Sequence, residues 1–258
     1  FRVNTSSKEA ANLIRSKFNL TGKKRTGFQY LKALISEIAK FNVYVFEFIE
    51  AHNKKEKANL EGFFLNPNFI VIKRNSKSYS REIFTLLHEF AHYLLGAEDF
   101  FNAIEDSSNF SELNKIERWC SDFSFYFLAG EYSNTIENLN PDENSFHEQI
   151  SLFSKETHLS KFAIYYRLYL KKKISWSYYD KLQTNLKELL SEEEKELKRK
   201  KELEEKDNEK KAFPAQKPIR SPLFDKTVLM AYYENIIGEY EAIQLLKLSQ
   251  KEALRIFQ

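Results

Sequence analysis

The sequence predicts an α+β fold in which a small antiparallel sheet packs on a helical core. Through most of the 258 residues, apolar side chains recur at intervals of three and four, which is the spacing of amphipathic helices. Two stretches, Val43–Ile49 and Gly62–Lys73, instead have the aromatic and β-branched composition of strands. Helices come before and after these strands and do not alternate with them. This order favours a segregated α+β fold over a parallel α/β sheet.

Two helices are predicted before the first strand. Ser6 and Glu9 have the spacing of a capping box, and they predict a helix that runs to about Phe18. The second helix is predicted at Phe28–Lys40, where apolar residues recur at core spacing. After the strand at Val43–Ile49, a β-hairpin is predicted.

The hairpin has two short strands and a tight turn. The strands are Gly62–Leu65 and Phe69–Lys73, and Asn66-Pro67-Asn68 between them has turn composition.

The most informative motif is His88-Glu89-Phe90-Ala91-His92, an H-E-x-x-H match inside an apolar stretch. Residues four apart share a helix face, so His88 and His92 can point at one metal ion. Glu89 beside them can polarise a water on that ion. Ser80 as N-cap and Gly96 after the last apolar residue predict a helix around the motif. Because this helix is apolar nearly all round, its histidines and glutamate would be costly to bury unless they are paired or bind metal.

A catalytic zinc site needs a third protein ligand and an open position for water. The downstream carboxylates are Glu98, Asp99, Glu105, Asp106, Glu112 and Glu117. The first four follow the break at Gly96 and are predicted to lie in a loop. Glu117 borders the apolar stripe of a helix predicted between Ser111 and Gly130, so it is the predicted third ligand. The alternative is a solvated charge at the rim of a buried face.

Ser121 and Asp122 are candidates to hydrogen-bond a ligating histidine. Ser121 lies one helical turn beyond Glu117 on the same face, whereas Asp122 has the more suitable carboxylate chemistry. The sequence leaves this choice open. It also leaves open which of Tyr93, Tyr126, His147 and His158 could donate a hydrogen bond to an oxyanion.

Further residues extend the motif into a longer pattern. Arg81, Phe84-Thr85 and His88–His92 fit R-x-x-F-T-x-x-H-E-x-x-H, which resembles the signature of the ImmA/IrrE metallopeptidases. The strand residues Asn68–Ile72 and the segment after Glu117 are also similar to this family, whose glutamate there is the third zinc ligand. The sequence departs from the family's pattern at three places. Cys120-Ser121 stands where the family usually has a small residue followed by Asn or Asp, Ala129-Gly130 replaces the common Met-Pro ending, and Ile83 replaces a second basic residue.

The resemblance implies a zincin-like core and a cytoplasmic zinc endopeptidase. One Zn²⁺ per chain would be held by His88, His92 and Glu117, with Glu89 as the general base. The implied substrate is a partner protein, in this family usually a helix-turn-helix repressor whose cleavage switches on stress, phage or mobile-element genes. The alternative is a non-catalytic metal-binding regulator that binds a repressor, a toxin partner or DNA.

A protease must hold its substrate extended, and an exposed strand edge can do so by backbone pairing. The strand before the motif helix is a candidate for this edge, with residues Phe69, Ile70, Val71 and Ile72. The alternative is an ordinary core strand, and the sequence does not choose between them.

Composition narrows the class of protein. A formal charge of +3 is small for this length and argues against direct DNA binding by this segment. The single Cys120 excludes an internal disulfide and fits a reducing, cytoplasmic compartment. Apolar runs are too short for a membrane span. Because the chain starts at Phe1 and its only methionine is Met230, we expect an upstream segment, such as a helix-turn-helix domain, to be missing.

Four segments are predicted along the chain. They are a zincin-like metallopeptidase core at 1–135, a helix-turn-helix-like helical region at 136–190, a charged helical linker at 191–220 and a helical C-terminal extension at 221–258. The linker contains the charge run Glu192–Lys211. The extension is too short for a large core of its own, so we expect it to dock on the main domain or on a partner.

Overall fold

A computed structural model describes residues 1–20, 25–49, 61–74, 79–96, 110–186 and 218–257. The chain divides into two compact units. The first unit comprises Phe1–Phe127 and Pro218–Gln258, and the second comprises Leu128–Lys217. Helices with one three-stranded sheet confirm the predicted α+β class. Across the described ranges, no helix is long and apolar enough to cross a membrane.

The helices and strands of the first part of the chain follow the predicted order. They are α1 (Ser7–Lys17), α2 (Gly27–Ala39), β1 (Tyr44–Ile49), β2 (Gly62–Leu65), β3 (Phe69–Arg74), α3 (Tyr79–Leu95) and α4 (Phe110–Ala129). Ser6 caps α1 by accepting the Glu9 N–H at 3.3 Å. Helices α3 and α4 begin one residue before the predicted caps Ser80 and Ser111, which therefore lie inside the first turns. Gly96 has a φ of 58°, the left-handed conformation that commonly ends a helix.

The sheet has the strand order β1-β3-β2, with β3 in the middle. Strands β2 and β3 form the predicted antiparallel hairpin, in which Leu65 pairs with Phe69. Strand β1 lies on the other side of β3 and runs parallel to it, with Val45 opposite Ile70. The sheet is therefore mixed and not purely antiparallel as predicted. The central position suits β3, because Ile70 and Ile72 are fully buried there.

The prediction that Phe69–Ile72 form a sheet edge is wrong. Strand β3 has a partner strand on each side, so its backbone groups are used within the sheet. It is the ordinary core strand of the alternative interpretation. Among the described residues, β1 and β2 are the outer strands, and β2 is the outer strand that packs against α3.

An aromatic cluster joins α1 to the helices that carry the motif residues. Phe18 follows α1, and its ring lies 5.6 Å from Phe41, 6.0 Å from Phe90 and 5.3 Å from Phe127, measured between ring centroids. Phe90 belongs to α3 and Phe127 to α4. Because the Phe18 side chain is only 4% exposed, it contributes to the packing that holds these helices together.

Phe18→Ala is expected to lower the free energy of unfolding by about 3–5 kcal/mol, the usual cost of emptying a buried phenylalanine site. Urea unfolding followed by circular dichroism would measure the change. Leu13→Ala on α1 is the matched control, because Leu13 is 48% exposed and its loss should cost less than about 1 kcal/mol. Equal costs for the two variants would contradict the assigned core.

The second unit contains short helices. They are α5 (Ser133–Glu137), α6 (Phe146–Thr157) and α7 (Lys161–Leu170), and residues 176–186 are also helical. His158 has a φ of 60° at the end of α6, and Ser160 caps α7 by accepting the Ala163 N–H at 3.1 Å. The predicted helical region is thus present as far as residue 186.

The C-terminal extension is part of the first unit and packs against its N-terminal portion, which is one of the two arrangements predicted for it. Its helices are α8 (Pro222–Tyr233), α9 (Glu239–Leu246) and α10 (Gln250–Phe257). Phe224 packs edge-on against Phe46 of β1 at 5.5 Å, and Thr227 shares a hydrogen bond of 2.8 Å with the Tyr44 hydroxyl. Strand β1 is therefore covered by the extension at these residues.

Several predictions concern residues outside the described ranges. These are the charge run Glu192–Lys211, most of the linker 191–220, and the loop carboxylates Glu98, Asp99, Glu105 and Asp106. The four-segment division of the chain therefore stays a prediction.

Candidate metal centre

The two motif histidines lie one turn apart on the same face of α3. Their Nε2 atoms are 3.2 Å apart and their rings are 5.0 Å apart. The rest of α3 is anchored in the core, because side chains such as Leu86, Leu87 and Phe90 are fully buried. This packing fixes the helix and leaves His88 and His92 directed together toward α4.

Glu117 of α4 completes the group. Its Oε2 lies 3.0 Å from His88 Nε2, and its Oε1 lies 3.5 Å from His92 Nε2. The two histidine side chains are mostly buried, whereas the Glu117 side chain is 49% exposed. The three residues that the sequence selected therefore converge at one point, and the Glu117 side leaves this point open to solvent.

The donor atoms fit a tetrahedral zinc ion. Two ligand atoms about 2.0–2.1 Å from one tetrahedral zinc lie about 3.3 Å apart. The distances of 3.0, 3.2 and 3.5 Å between the donor atoms bracket this value. His, His and Glu could together hold a metal ion, and two imidazoles with one carboxylate suit zinc.

The protonation of these groups also suits metal binding, which needs deprotonated ligands. Burial lowers the pKa of His92 to about 4, and the nearby His88 acts in the same direction. His92 is therefore neutral at pH 7 and offers a lone pair. The hydrogen bond from His88 lowers the pKa of Glu117, so this carboxylate is ionised.

Glu89 lies beside the ligands but in a different environment. It is 9% exposed, and burial raises the pKa of its carboxyl to about 7 against the opposing effect of His88. The backbone N–H of Phe64 in β2 donates a hydrogen bond to this carboxylate. A carboxyl with a pKa near neutrality can both accept and release a proton, as a general base must.

The burial of Glu89 has a consequence for the metal-free protein. Folding raises the pKa of the Glu89 carboxyl from 4.5 to about 7, so the folded protein binds the proton more tightly than the unfolded chain. The resulting stabilisation is complete below pH 4.5 and is lost as the pH rises through 7. Glu89→Gln removes the ionisable group, so the metal-free variant should be more stable than the parent at pH 8, by roughly 2 kcal/mol, and not at pH 5. Urea unfolding at both pH values with a chelator would measure this. A stability difference that does not change with pH would contradict the burial of the charge.

Ser121, one of the two histidine partners that the sequence left open, lies near His88. Its hydroxyl lies 3.5 Å from His88 Nδ1, at the outer limit of a hydrogen bond. Asp122 follows it on α4 and is partly buried. Cys120 precedes Ser121 on α4 and is fully buried. Because burial raises the pKa of its thiol, Cys120 is neutral at pH 7 and serves as a core residue.

The candidate oxyanion donors have other roles in the structure. The Tyr93 hydroxyl donates to the Phe41 carbonyl at 2.9 Å, and Tyr126 is buried with Lys8 over its ring. His147 and His158 belong to the second unit, where His147 Nδ1 lies 2.6 Å from the Tyr165 hydroxyl. The oxyanion donor stays open.

The fold brings together a His-His-Glu group that could hold a metal ion. Residues 39–169, just over half of the chain, match the family model Peptidase_M78, described as the IrrE N-terminal-like domain. The chain belongs to this family, as its resemblance to the ImmA/IrrE metallopeptidases predicted.

Comparison with solved structures finds a Mycobacterium tuberculosis transcriptional regulator, at 16% identity and a TM-score of 0.41. The similarity covers 64% of this chain and 47% of that chain, so it spans less than half of the regulator. No curated protein matches the chain.

Proposed function

We propose that this protein is a zinc-dependent endopeptidase that hydrolyses a peptide bond in a partner protein. The observation that carries this proposal is the convergence of His88, His92 and Glu117 beside a buried Glu89. We propose one zinc ion per chain, with these three residues as its ligands. Three protein ligands are typical of a catalytic site, because the fourth position stays available for water.

When bound, zinc supplies a Lewis acid that activates water and polarises a peptide carbonyl. Glu89 accepts the proton of the attacking water on a carboxylate oxygen and passes it to the leaving nitrogen. The Phe64 N–H orients this carboxylate from one side. Ser121 supports the orientation of the His88 ring through Nδ1.

We propose β2 as the strand that binds the extended substrate, in place of β3. The Lys73 N–H donates to the Glu61 carbonyl at 2.8 Å, so Glu61 is hydrogen-bonded to its neighbour on β3. In an antiparallel pair, every second residue directs its N–H and C=O away from the partner strand. Gly62 and Phe64 are therefore residues whose backbone groups point away from β3. This outward row lies next to Glu89, because the Phe64 N–H reaches its carboxylate. Since the Phe64 N–H is engaged by Glu89, a peptide would pair with the remaining outward groups of this edge and would pass beside the general base.

We propose a helix-turn-helix repressor as the substrate, whose cleavage relieves repression in a stress, phage or mobile-element response. The family membership supports a protein substrate. The test is to incubate the zinc-loaded protein with the repressor encoded by a neighbouring gene and to identify products by mass spectrometry. We expect one main cleavage, which is absent with a chelator and absent with Glu89→Gln. A partner that binds without being cut by the zinc-loaded protein would instead identify a non-catalytic regulator.

A further inference from the structure

We propose that Gly62 is a positioning residue for Glu89, because it lets β2 lie directly on α3 and deliver the Phe64 N–H to the carboxylate. This inference rests on the proposed function for its effect on catalysis. Its structural part concerns only the contact between a strand and a helix, and that part is measurable without metal or substrate.

The approach of the two elements is closest at Gly62. A Cβ at this position would lie 2.6 Å from Thr85 Cγ2 and 3.0 Å from the Val71 carbonyl oxygen. It would also lie 3.5 Å from Glu89 Cγ. A separation of 2.6 Å between carbon atoms is far inside van der Waals contact, so a side chain at position 62 would require β2, α3 or the Thr85 side chain to shift. A glycine inside a strand often marks such a close backbone approach.

Thr85 and Glu89 are one turn apart on α3, so they share the face on which β2 rests. Gly62 contacts this face, and Phe64 lies two residues further along β2 with its N–H directed away from β3. The Phe64 ring is also on this side, 6.0 Å from the Tyr93 ring of α3. The close approach at Gly62 therefore sets the distance at which the Phe64 N–H meets Glu89.

The contact between β2 and α3 matters because the Glu89 side chain has several rotatable bonds, so hydrogen bonds are needed to fix the position of its carboxylate. The Phe64 N–H is the backbone donor that reaches its carboxylate. A hydrogen bond between an N–H and a carboxylate is short and strongly dependent on distance, so a shift of β2 by less than 1 Å would weaken it. The carboxylate would then lose the orientation that proton transfer requires.

The test compares Gly62→Ala with Gly238→Ala, in which the added methyl group meets no neighbouring atom within 4 Å. The first measurement is the Phe64 amide resonance of the metal-free, 15N-labelled protein. Glu89→Ala defines the resonance without the hydrogen bond. We expect Gly62→Ala to move the Phe64 amide toward that position, and Gly238→Ala to leave it in place.

The second measurement is peptidase activity of the zinc-loaded variants. We expect Gly62→Ala to lower kcat by about 10-fold or more, because a misplaced catalytic group costs rate and not ground-state binding. Zinc affinity should stay within about twofold, since the three proposed metal ligands lie on α3 and α4 and not on β2. A role in packing alone would lower the melting temperature and leave kcat and the Phe64 amide unchanged, and that result would overturn the proposal.

Thr85→Ser provides the rescue, because it removes the Cγ2 atom that a Cβ at position 62 would strike. Combining it with Gly62→Ala should return both the Phe64 amide and kcat toward the parent values. If Gly62→Ala does not fold, this double variant takes its place. An unchanged Phe64 amide in Glu89→Ala would disprove the hydrogen bond itself. A normal amide response with no peptidase activity in the parent would instead refute the proposed function and leave the contact established.

Discussion

Glu89→Gln is expected to lower kcat by about 10²–10⁴-fold while the protein keeps its fold and its metal. Glutamine has nearly the same shape as glutamate and can still accept the Phe64 N–H through its amide oxygen. It cannot accept a proton from water at neutral pH, so the proton-transfer step loses its base. Because Glu89 is not one of the three converging ligands, zinc affinity should stay within a few-fold of the parent value.

Peptidase assays and zinc titrations on the same preparations would measure both quantities. Glu9→Gln is the matched control, because Glu9 lies in the first turn of α1 and is exposed, and it should leave kcat unchanged. A Glu89→Gln variant that retained more than about a tenth of the parent activity would show that another group takes the proton.

Glu117→Ala is expected to weaken zinc binding by more than about 100-fold, since even the loss of a group that only supports a ligand commonly costs 10–100-fold. The fold should persist, because the Glu117 side chain is 49% exposed and its removal leaves no buried cavity. Competition with a chelating dye would measure the affinity, and circular dichroism the fold. Peptidase activity should fall together with metal content.

Lys115→Ala is the matched control for this experiment, because Lys115 is exposed on the same helix. It should bind zinc as the parent does. If Glu117→Ala bound zinc within about threefold of the parent, the third ligand would have to come from elsewhere. Glu98, Asp99, Glu105 and Asp106 would then be the next candidates.

The sequence predicted the motif helix, and the structure brings the three proposed ligand residues together, because most of their signals are local. His88 and His92 are four residues apart on a helix whose apolar surroundings are visible in the sequence. Glu117 required a second step, since nothing local distinguishes it from the other acids. Its position at the edge of an apolar helical stripe selected it, and the structure places its carboxylate 3.0 Å from His88.

The arrangement of the sheet could not be predicted in the same way. Period-two patterns show which residues form a strand, but they do not show which strands are neighbours. The β2–β3 hairpin was predictable because a short turn joins its strands. The parallel pairing of β1 with β3 joins residues that are distant in the sequence, such as Val45 and Ile70, and it makes β3 the central strand. The choice of substrate edge failed for this reason.

Gly62 carries a signal that the sequence analysis did not use. A glycine inside a predicted strand indicates either a bulge or a close approach of backbone to another element. The helix that contains Glu89 begins less than 20 residues after Gly62, so the sequence allows a close approach between this strand and that helix to be proposed. That Thr85 is the residue approached, and Phe64 the donor to Glu89, depends on how β2 crosses α3, which only the structure shows.

The central claim is that His88, His92 and Glu117 bind one zinc ion. X-ray absorption at the zinc edge, on protein with its metal content measured, tests this most directly. We expect about one zinc per chain, with nitrogen and oxygen ligands at about 2.0–2.1 Å and outer-shell scattering from two imidazoles. A chain that retains no zinc, or a zinc environment without histidine scattering, would contradict the claim.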